Sequence, residues 1–379
     1  MRKLTGRERL LRSLECNDVD RRPVSPFVYE NFVRLFFKER DPDLLEGTLT
    51  VYRHFGFDVV HRNISIRHDP EVFNSDRWRV AKSREGGNTE TTRIITPERT
   101  LTQRVRNEWL SPYHRVRAVV ECFIKEPADF EQFVKFRPQL PALDFGELEQ
   151  AKALVGDHGI VAPFTYGLFN YVADLRSLDR LIMDFMTDEP FYRALMSYFQ
   201  CELLDFHRQV TEVGVDVLSY PGNMANGTVV GPDYFRRYVF DYEKKIIDLI
   251  QNRGTHVLYH NCGDARAMIE AYNDLGISAF ETLTEPPYGD MDFRDALNRF
   301  DERIVLHGNI DQICFLKEAR PEEVRLVVRE KLELSAERPG FILGTSDFLE
   351  EGTPFENLFA LAEAAQAVNR MKEHQSDSD

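Results

Sequence analysis

Residues 234–283 read YFRRYVFDYEKKIIDLIQNRGTHVLYHNCGDARAMIEAYNDLGISAFETL, and they alternate long amphipathic stretches with short apolar runs. In residues 234–253 the apolar side chains recur close to the 3.6-residue period of a helix, and residues 266–275 behave alike. Residues 256–263 and 276–283 are short apolar runs typical of buried strands. The order helix, strand, helix, strand predicts a parallel sheet with helices outside it.

The same alternation extends from this stretch towards both ends of the chain. Helical patterns recur at residues 321–336 and 354–371, and Thr5 with Glu8 fits the capping box of a first helix. The predicted strands are Pro23–Tyr29, Asp58–Asn63, Ile160–Gly167, Gly214–Tyr220, His256–Gly263, Gly276–Leu283, Ile304–Asp311 and Gly340–Asp347. Eight strands alternating with helices predict an α/β fold closed into a (β/α)8 TIM barrel. Because the sequence contains no Gly/Ser-rich linker, we expect one domain over residues 1–379.

Residues 66–158 interrupt the alternation after the second strand. Within them, residues 89–106 alternate Thr and Ile with polar side chains, which predicts a small antiparallel excursion over the barrel mouth. Residues 127–145 are expected to form helix and loop.

Composition and charge narrow the class of protein. The chain has 379 residues, 42% of them hydrophobic, and a formal net charge of -15, which disfavours nucleic acid and anionic membranes as partners. It contains no apolar run of 18 residues and no secretory signal pattern at its start, so we expect no membrane span. Five widely spaced cysteines, an odd number, indicate free thiols and a reducing, cytoplasmic setting.

The sharpest chemical feature is the pair His260 and Cys262. Positions i and i+2 of a strand point to the same side, and side chains at the carboxyl ends of barrel strands face the active site. Imidazole and thiolate are zinc ligands, and a catalytic zinc needs three protein ligands and an open position. The expected third ligand is Glu281 or Asp347, with Asp347 taken as the ligand. The alternative is that His260 and Cys262 only fill the barrel interior.

Other strand ends supply polar candidates. Glu281 and Asp311 are predicted to be catalytic, because inward carboxylates are costly unless they are paired or used. Tyr166 and Asn223 are predicted to contact substrate, although a packed aromatic and a turn residue are the alternatives. Asp347 could equally cap the helix that follows it.

With these residues in place, the chain resembles the uroporphyrinogen decarboxylase superfamily over nearly its full length. That family is built on a (β/α)8 barrel. The matching segments are Gly214–Val217, Val230–Phe235, His260–Gly263, Gly308–Asp311 and Gly352–Asn357.

Two branches of the superfamily make different demands on the sequence. True decarboxylases carry Arg-Gln-Ala-Gly-Arg-Tyr after the first strand, to grip porphyrinogen carboxylates. Residues 28–33 are Val-Tyr-Glu-Asn-Phe-Val instead, which lacks both arginines. The other branch resembles methylcobalamin-dependent methyltransferases, in which a His-x-Cys pair and a later Cys bind zinc. His260 and Cys262 match the pair, but residues 344–348 contain no cysteine.

The resemblance implies a zinc-dependent methyltransferase. A methyl group would pass from methylcobalamin on a partner corrinoid protein to a thiol or similar small-molecule acceptor, whose anionic tail Arg62 and Asn309 would bind. A homodimer is compatible with the family. Two alternatives stay open: a metal-free decarboxylase-like lyase acting on a smaller carboxylated substrate, and a non-catalytic binder of a tetrapyrrole or corrinoid carrier.

Overall fold

The computed structural model describes residues 2–68 and 74–376, in which helices alternate with strands along most of the chain. The helices are α1 Gly6–Leu14, α2 Glu30–Phe37, α3 Leu44–Phe55, α4 Pro127–Phe136, α5 Gly146–Val155, α6 Leu168–Arg176, α7 Leu178–Thr187, α8 Glu189–Glu212, α9 Gly231–Tyr234, α10 Phe240–Asn252, α11 Ile269–Leu275, α12 Phe293–Arg299, α13 Phe315–Glu318, α14 Pro321–Leu334 and α15 Phe355–Ser376. Among these described residues, none of the helices is both long and apolar enough to cross a membrane.

The strands form parallel and antiparallel groups. They are β1 Val59–His61, β2 Arg67–His68, β3 Arg79–Glu85, β4 Thr89–Ile95, β5 Thr100–Trp109, β6 Arg115–Glu121, β7 Leu143–Asp144, β8 Gly159–Val161, β9 Val217–Pro221, β10 His256–His260, β11 Ala279–Thr282, β12 Val305–Ile310 and β13 Phe341–Thr345. A five-stranded sheet runs in the order β13-β12-β11-β10-β9, and all its pairings are parallel. β1 pairs with β8, also in parallel. The predicted α/β class with parallel strands is confirmed.

Prolines interrupt two of the predicted strands. In residues 23–29 only isolated parallel bridges form, from Val24 to Leu343 and from Phe27 to Phe348. Pro23 and Pro26 explain this, because proline has no N–H to donate to a strand ladder. In the predicted strand 160–167, pairing stops at Val161 and resumes as a single bridge from Phe164 to Ser219, with Pro163 between them.

Within the insertion predicted at residues 66–158, the antiparallel part is larger than the sequence indicated. A four-stranded antiparallel sheet, β3-β4-β5-β6, covers residues 79–121 rather than 89–106 alone. The helix expected after it is α4, and the loop beyond contains the short strand β7, which pairs with β2. The outer strands β3 and β6 carry so many charged residues that their alternation of apolar and polar side chains is weak.

The interior of the parallel strands is a separate apolar cluster. It contains buried residues from every parallel strand together with two leucines of α1: Leu10, Leu14, Val60, Ile160, Ala162, Val217, Leu258, Ala279, Val305 and Ile342. α1 begins with the predicted capping box, in which Thr5 accepts from the Glu8 N–H and Glu8 accepts from the Thr5 N–H. A larger cluster packs the other helices onto the outer faces of the strands.

Candidate metal centre

Three potential metal ligands meet where parallel strands end. His260 is the last residue of β10, Cys262 follows two positions later, and Asp347 lies two residues beyond β13. Their ligand atoms all lie within 4.8 Å of one another. In a flat sheet, β10 and β13 would be three strand spacings apart, about 14 Å. The sheet therefore curves strongly enough to bring two non-adjacent strand ends together.

A polar row across three strands holds the imidazole of His260. The strand register pairs His260 with Glu281 and Glu281 with His307, so the three residues lie side by side. The His260 Nδ1–H donates to Glu281 Oε1 at 3.0 Å. This bond leaves Nε2 as the ring nitrogen that can bind a metal.

The charges around His260 oppose the effect of its burial. Burial alone would lower the pKa of His260. Hydrogen bonds with Cys262 and Glu281, with the negative charge of Asp347, outweigh burial and hold that pKa well above its ordinary value. The site therefore favours a positive charge at this position, which a metal ion would also supply.

Arg62 keeps the Glu281 carboxylate ionised. Burial by itself would raise the pKa of Glu281, but Arg62, His260 and His307 lower it to about 2. Arg62 Nη1 lies 2.6 Å from a Glu281 oxygen, and its side chain has 0% exposure. The guanidinium also lies over the ring of Phe27, 4.4 Å from its centroid. Arg62, predicted to bind an anionic tail, is here buried and paired with a carboxylate of the chain itself.

His307 on β12 is the third residue of the polar row that contains His260 and Glu281. Its Nε2–H donates to the Ser25 carbonyl at 2.8 Å, and its Nδ1 lies 3.7 Å from Glu281 Oε2. Burial, with the charge of Arg62, lowers the pKa of His307 to about 4, so the ring is neutral near pH 7. Sequence reasoning missed His307, although strand alternation places it two residues before Asn309.

Asp311, predicted to be catalytic, organises the loop after β12. Its carboxylate accepts hydrogen bonds from the N–H groups of Ile313, Cys314 and Phe315. A carboxylate with three backbone donors serves as a cap for the turn that leads into α13.

Asn309, predicted to bind the anionic tail of the acceptor, is buried near the end of β12. It is 1% exposed, and its Nδ2 reaches the Leu283 carbonyl at 3.5 Å. With Ser346 and Gln312 it lines a cavity of about 310 Å³ on the helix side of these strand ends.

The remaining two predicted substrate contacts lie near a different cavity. Tyr166 is 43% exposed and lines a cavity of about 360 Å³ with Asn170 and Pro221. Asn223 accepts a hydrogen bond from Asn170 at 2.8 Å, so it borders the same region. The structure therefore brings together His260, Cys262 and Asp347, with Glu281 behind them, and not the whole set predicted from sequence.

Four aromatic rings stand beside the three ligands, and we call them the aromatic wall: Phe27, Tyr29, Phe164 and Phe348. Phe27 contacts each of the other three, with ring centroids 5.9 to 6.2 Å apart. It also meets His260 edge-on at 6.0 Å. Tyr29, Phe164 and Phe348 are half-buried. Sequence reasoning missed the wall, because single aromatic residues at separate strand ends carry no shared motif.

A family profile and named enzymes of two kinds match this chain in sequence. A family profile described as uroporphyrinogen decarboxylase (URO-D) matches residues 145–368. The chain is 22% identical over 180 residues to a methylcobamide:CoM methyltransferase, MtbA, of Methanosarcina mazei, covering 48% of this chain and 50% of that protein. It is 24% identical over 220 residues to a uroporphyrinogen decarboxylase of Solibacter usitatus, covering 56% and 60%.

A solved structure agrees over a longer span. A methyltransferase from Methanosarcina mazei superposes with a TM-score of 0.70 at 15% identity, covering 97% of this chain and 99% of that one. At that identity the match shows the fold alone. The curated relatives are matched over only half to three-fifths of their length. The resemblance inferred from the sequence is confirmed: the chain belongs to the uroporphyrinogen decarboxylase family.

Proposed function

We propose that this chain is a zinc-dependent methyltransferase that moves a methyl group from a corrinoid protein to a thiol or similar acceptor. The observation that carries the proposal is the meeting of His260, Cys262 and Asp347 across the curved sheet. Relatives named as methylcobamide methyltransferases support the reaction class.

We also propose that the parallel strands close into the (β/α)8 barrel that the sequence predicts. Residues 23–27 hydrogen-bond to β13 on one side, and the Asp58 N–H donates to the Val24 carbonyl on the other. Phe164 links the β1–β8 pair to β9 through its bridge to Ser219. A barrel places all strand ends at one mouth, as the three ligands require.

The donor set suits zinc. One imidazole nitrogen, one thiolate sulfur and one carboxylate oxygen are each ordinary zinc ligands, and three protein ligands leave a position open. Asp347 stands where the resemblance calls for a later cysteine, so an oxygen replaces a sulfur in the set. Two anionic ligands would balance the charge of a divalent ion.

The chain's own residues hold this arrangement in place. Glu281 fixes the tautomer and orientation of His260 through the Nδ1 bond, and Arg62 keeps Glu281 ionised. When bound, a zinc ion would lower the pKa of an acceptor thiol and so favour the thiolate at neutral pH. Tyr166, Asn223 and Asn309 remain proposed acceptor contacts around the mouth.

The proposed transfer balances without a further reactant. The acceptor sulfur forms a bond to the methyl carbon while the cobalt–carbon bond breaks. Both electrons of the broken bond stay with the cobalt of the partner protein, and the thiol proton leaves to solvent. A corrinoid protein is therefore the proposed partner.

Metal content tests the proposal directly. Protein purified without added metal is expected to hold close to one equivalent of zinc by elemental analysis, and His260→Ala is expected to lose it. His256→Ala, at the opposite end of β10, is the matched control and should keep the metal. Methyl transfer from methylcobalamin to thiols should follow zinc content across these variants.

A metal-free result would favour the second candidate. Less than a tenth of an equivalent of zinc, unchanged by His260→Ala, would overturn the zinc site. The similarity to a uroporphyrinogen decarboxylase would then favour a lyase acting on a smaller carboxylated substrate. Release of carbon dioxide from candidate acids would distinguish that activity.

A further inference from the structure

The surroundings of the metal centre bear on which acceptor it takes. Phe27 lies edge-on to His260, and Phe348 directly follows Asp347, so the aromatic wall begins at two of the three ligands. Tyr29 connects Phe164 and Phe348, with ring centroids 6.0 and 5.9 Å away. Phe27 and Phe348 therefore place aromatic rings next to two of the ligands, and Tyr29 and Phe164 extend that aromatic surface.

Two arginines near the aromatic wall are each paired with a carboxylate. Arg62 has its charge balanced by Glu281 at 2.6 Å and its guanidinium covered by Phe27. Arg34, beside the wall on α2, is paired with Glu30 at 2.9 Å. An anionic acceptor would therefore meet aromatic carbon and the negative charge of Asp347. Both arginine charges are paired with carboxylates, and both side chains are buried, with exposures of 0% for Arg62 and 9% for Arg34.

The antiparallel sheet covers the outer side of the wall. His114, in the turn between β5 and β6, contacts Phe348 with centroids 5.8 Å apart. Trp109, at the end of β5, holds that turn in place, since the guanidinium groups of Arg34 and Arg40 lie 5.6 and 5.2 Å from its ring centroid. His114 therefore covers part of the wall, which reduces the contact of Phe348 with water and favours apolar groups there.

We propose that the acceptor is an uncharged molecule that carries an aromatic ring next to its reacting thiol, and that the aromatic wall binds that ring. This inference rests on the proposed function for the identity of the reacting atom. Offset and edge-to-face stacking against Phe164 and Tyr29 supplies the affinity. The pairing of Arg62 with Glu281 and of Arg34 with Glu30 leaves neither arginine charge to balance an anionic tail.

Matched thiols separate the effect of the acceptor's charge on affinity from the effect of its size. Binding of phenylmethanethiol, its 4-carboxylate, 2-mercaptoethanol and 2-mercaptoethanesulfonate is measured by calorimetry on the full chain, with and without one equivalent of zinc. The neutral aryl thiol is expected to bind about tenfold or more tighter than its carboxylate. The sulfonate is expected to bind no tighter than mercaptoethanol. Tighter binding of either anion overturns the inference.

A cationic thiol tests the other ligand class that aromatic rings favour. Tighter binding of 2-mercaptoethyl-trimethylammonium than of phenylmethanethiol would also overturn the inference, because it would mark the wall as a cation site. The order of affinities is expected to be the same with and without zinc. Absence of zinc binding or of methyl transfer would overturn the proposed function while the order of affinities still decides the inference.

Variants of the wall locate the effect. Phe164→Leu is expected to weaken phenylmethanethiol about three- to tenfold and to leave mercaptoethanol unchanged. Tyr29→Leu is a second variant with the same expectation. Phe359→Leu, an exposed ring on α15 that contacts His54 and Phe55, is the matched control and should change neither affinity. Equal losses for both thiols in the wall variants would contradict the stacking role.

Discussion

At residue 281 a carboxylate that is 2% exposed accepts hydrogen bonds from a guanidinium and an imidazole. Such a buried ion pair contributes little net stability when complete, since desolvation offsets its attraction. Its loss is costly, because one charge then remains buried alone. Glu281 therefore links the stability of the fold to the orientation of His260.

Removing that charge should destabilise the chain more than removing the pair. Glu281→Gln leaves Arg62 buried without a counter-charge, and we expect a loss of about 3–5 kcal/mol in the free energy of unfolding. The double variant Arg62→Met with Glu281→Gln removes both charges and should be more stable than Glu281→Gln alone. Urea unfolding measures both. Strictly additive losses would show that the two side chains do not act as a pair.

Glu243 has a different environment, and it controls how stability depends on pH. This residue of α10 accepts from the Phe169 N–H at 3.0 Å and from the Tyr220 hydroxyl. Burial raises the pKa of Glu243 to about 7, although both hydrogen bonds lower it. In the unfolded chain the carboxyl ionises near pH 4.3. Between these values only the folded state keeps the proton, so stability falls as pH rises.

We expect Glu243→Gln to remove this pH dependence, since an amide does not ionise. Its oxygen can accept from the Phe169 N–H while its NH2 group donates to the Tyr220 oxygen. The variant should gain stability over the natural chain as pH rises from about 4.5 to 7, by up to about 3 kcal/mol, and the difference should then stay constant. Urea unfolding at pH 5, 6, 7 and 8 gives the comparison. Curves that stay parallel across this range would mean that Glu243 does not titrate there.

At the scale of elements, α1 closes one end of the parallel strands. Leu10 is 0% exposed and packs among interior residues of β1 and β8–β13. We expect Leu10→Ala to cost about 2–5 kcal/mol, because the rigid strand ends cannot collapse into the cavity. Leu326→Ala, at a site 63% exposed on α14, should change stability by less than about 0.5 kcal/mol. Similar small losses in the free energy of unfolding for both variants, measured by urea unfolding, would contradict the packing of α1 against the ends of the parallel strands.

The elements also show what periodicity can and cannot predict. The apolar runs that became β9–β13 are buried on both faces and lie between amphipathic helices, so their pattern was strong. Residues 23–29 have the same apolar character, but their prolines limit them to isolated bridges. The helix predicted at residues 234–253 contains a π-helical segment, Phe235–Val239, which no periodicity rule distinguishes.

At the scale of the whole molecule, the candidate metal centre forms because the parallel sheet curves and brings the ends of β10 and β13 together. The rule that strand ends face the mouth placed His260, Cys262 and Asp347 among the candidates, and in the structure they meet. The same rule selected Asp311 and Arg62, because it cannot tell a free side chain from one that caps a turn or pairs inside. For Arg62 that distinction depends on Glu281, 219 positions away, whereas the partners of Asp311 lie within four residues of it.

A metal held between β10 and β13 should stabilise the whole chain, since it joins segments that are distant in sequence and binds only the folded form. At 100 times the dissociation constant, zinc is expected to add about 2.7 kcal/mol and to raise the unfolding temperature by a few degrees. Asp347→Ala should reduce this shift, whereas Asp311→Asn should keep it while lowering the starting temperature, because Asp311 caps a turn. Differential scanning calorimetry with zinc, then with excess chelator, measures each shift. An equal zinc shift in the natural chain and in Asp347→Ala would place the metal elsewhere and leave Asp347 as a cap for the Phe348 N–H.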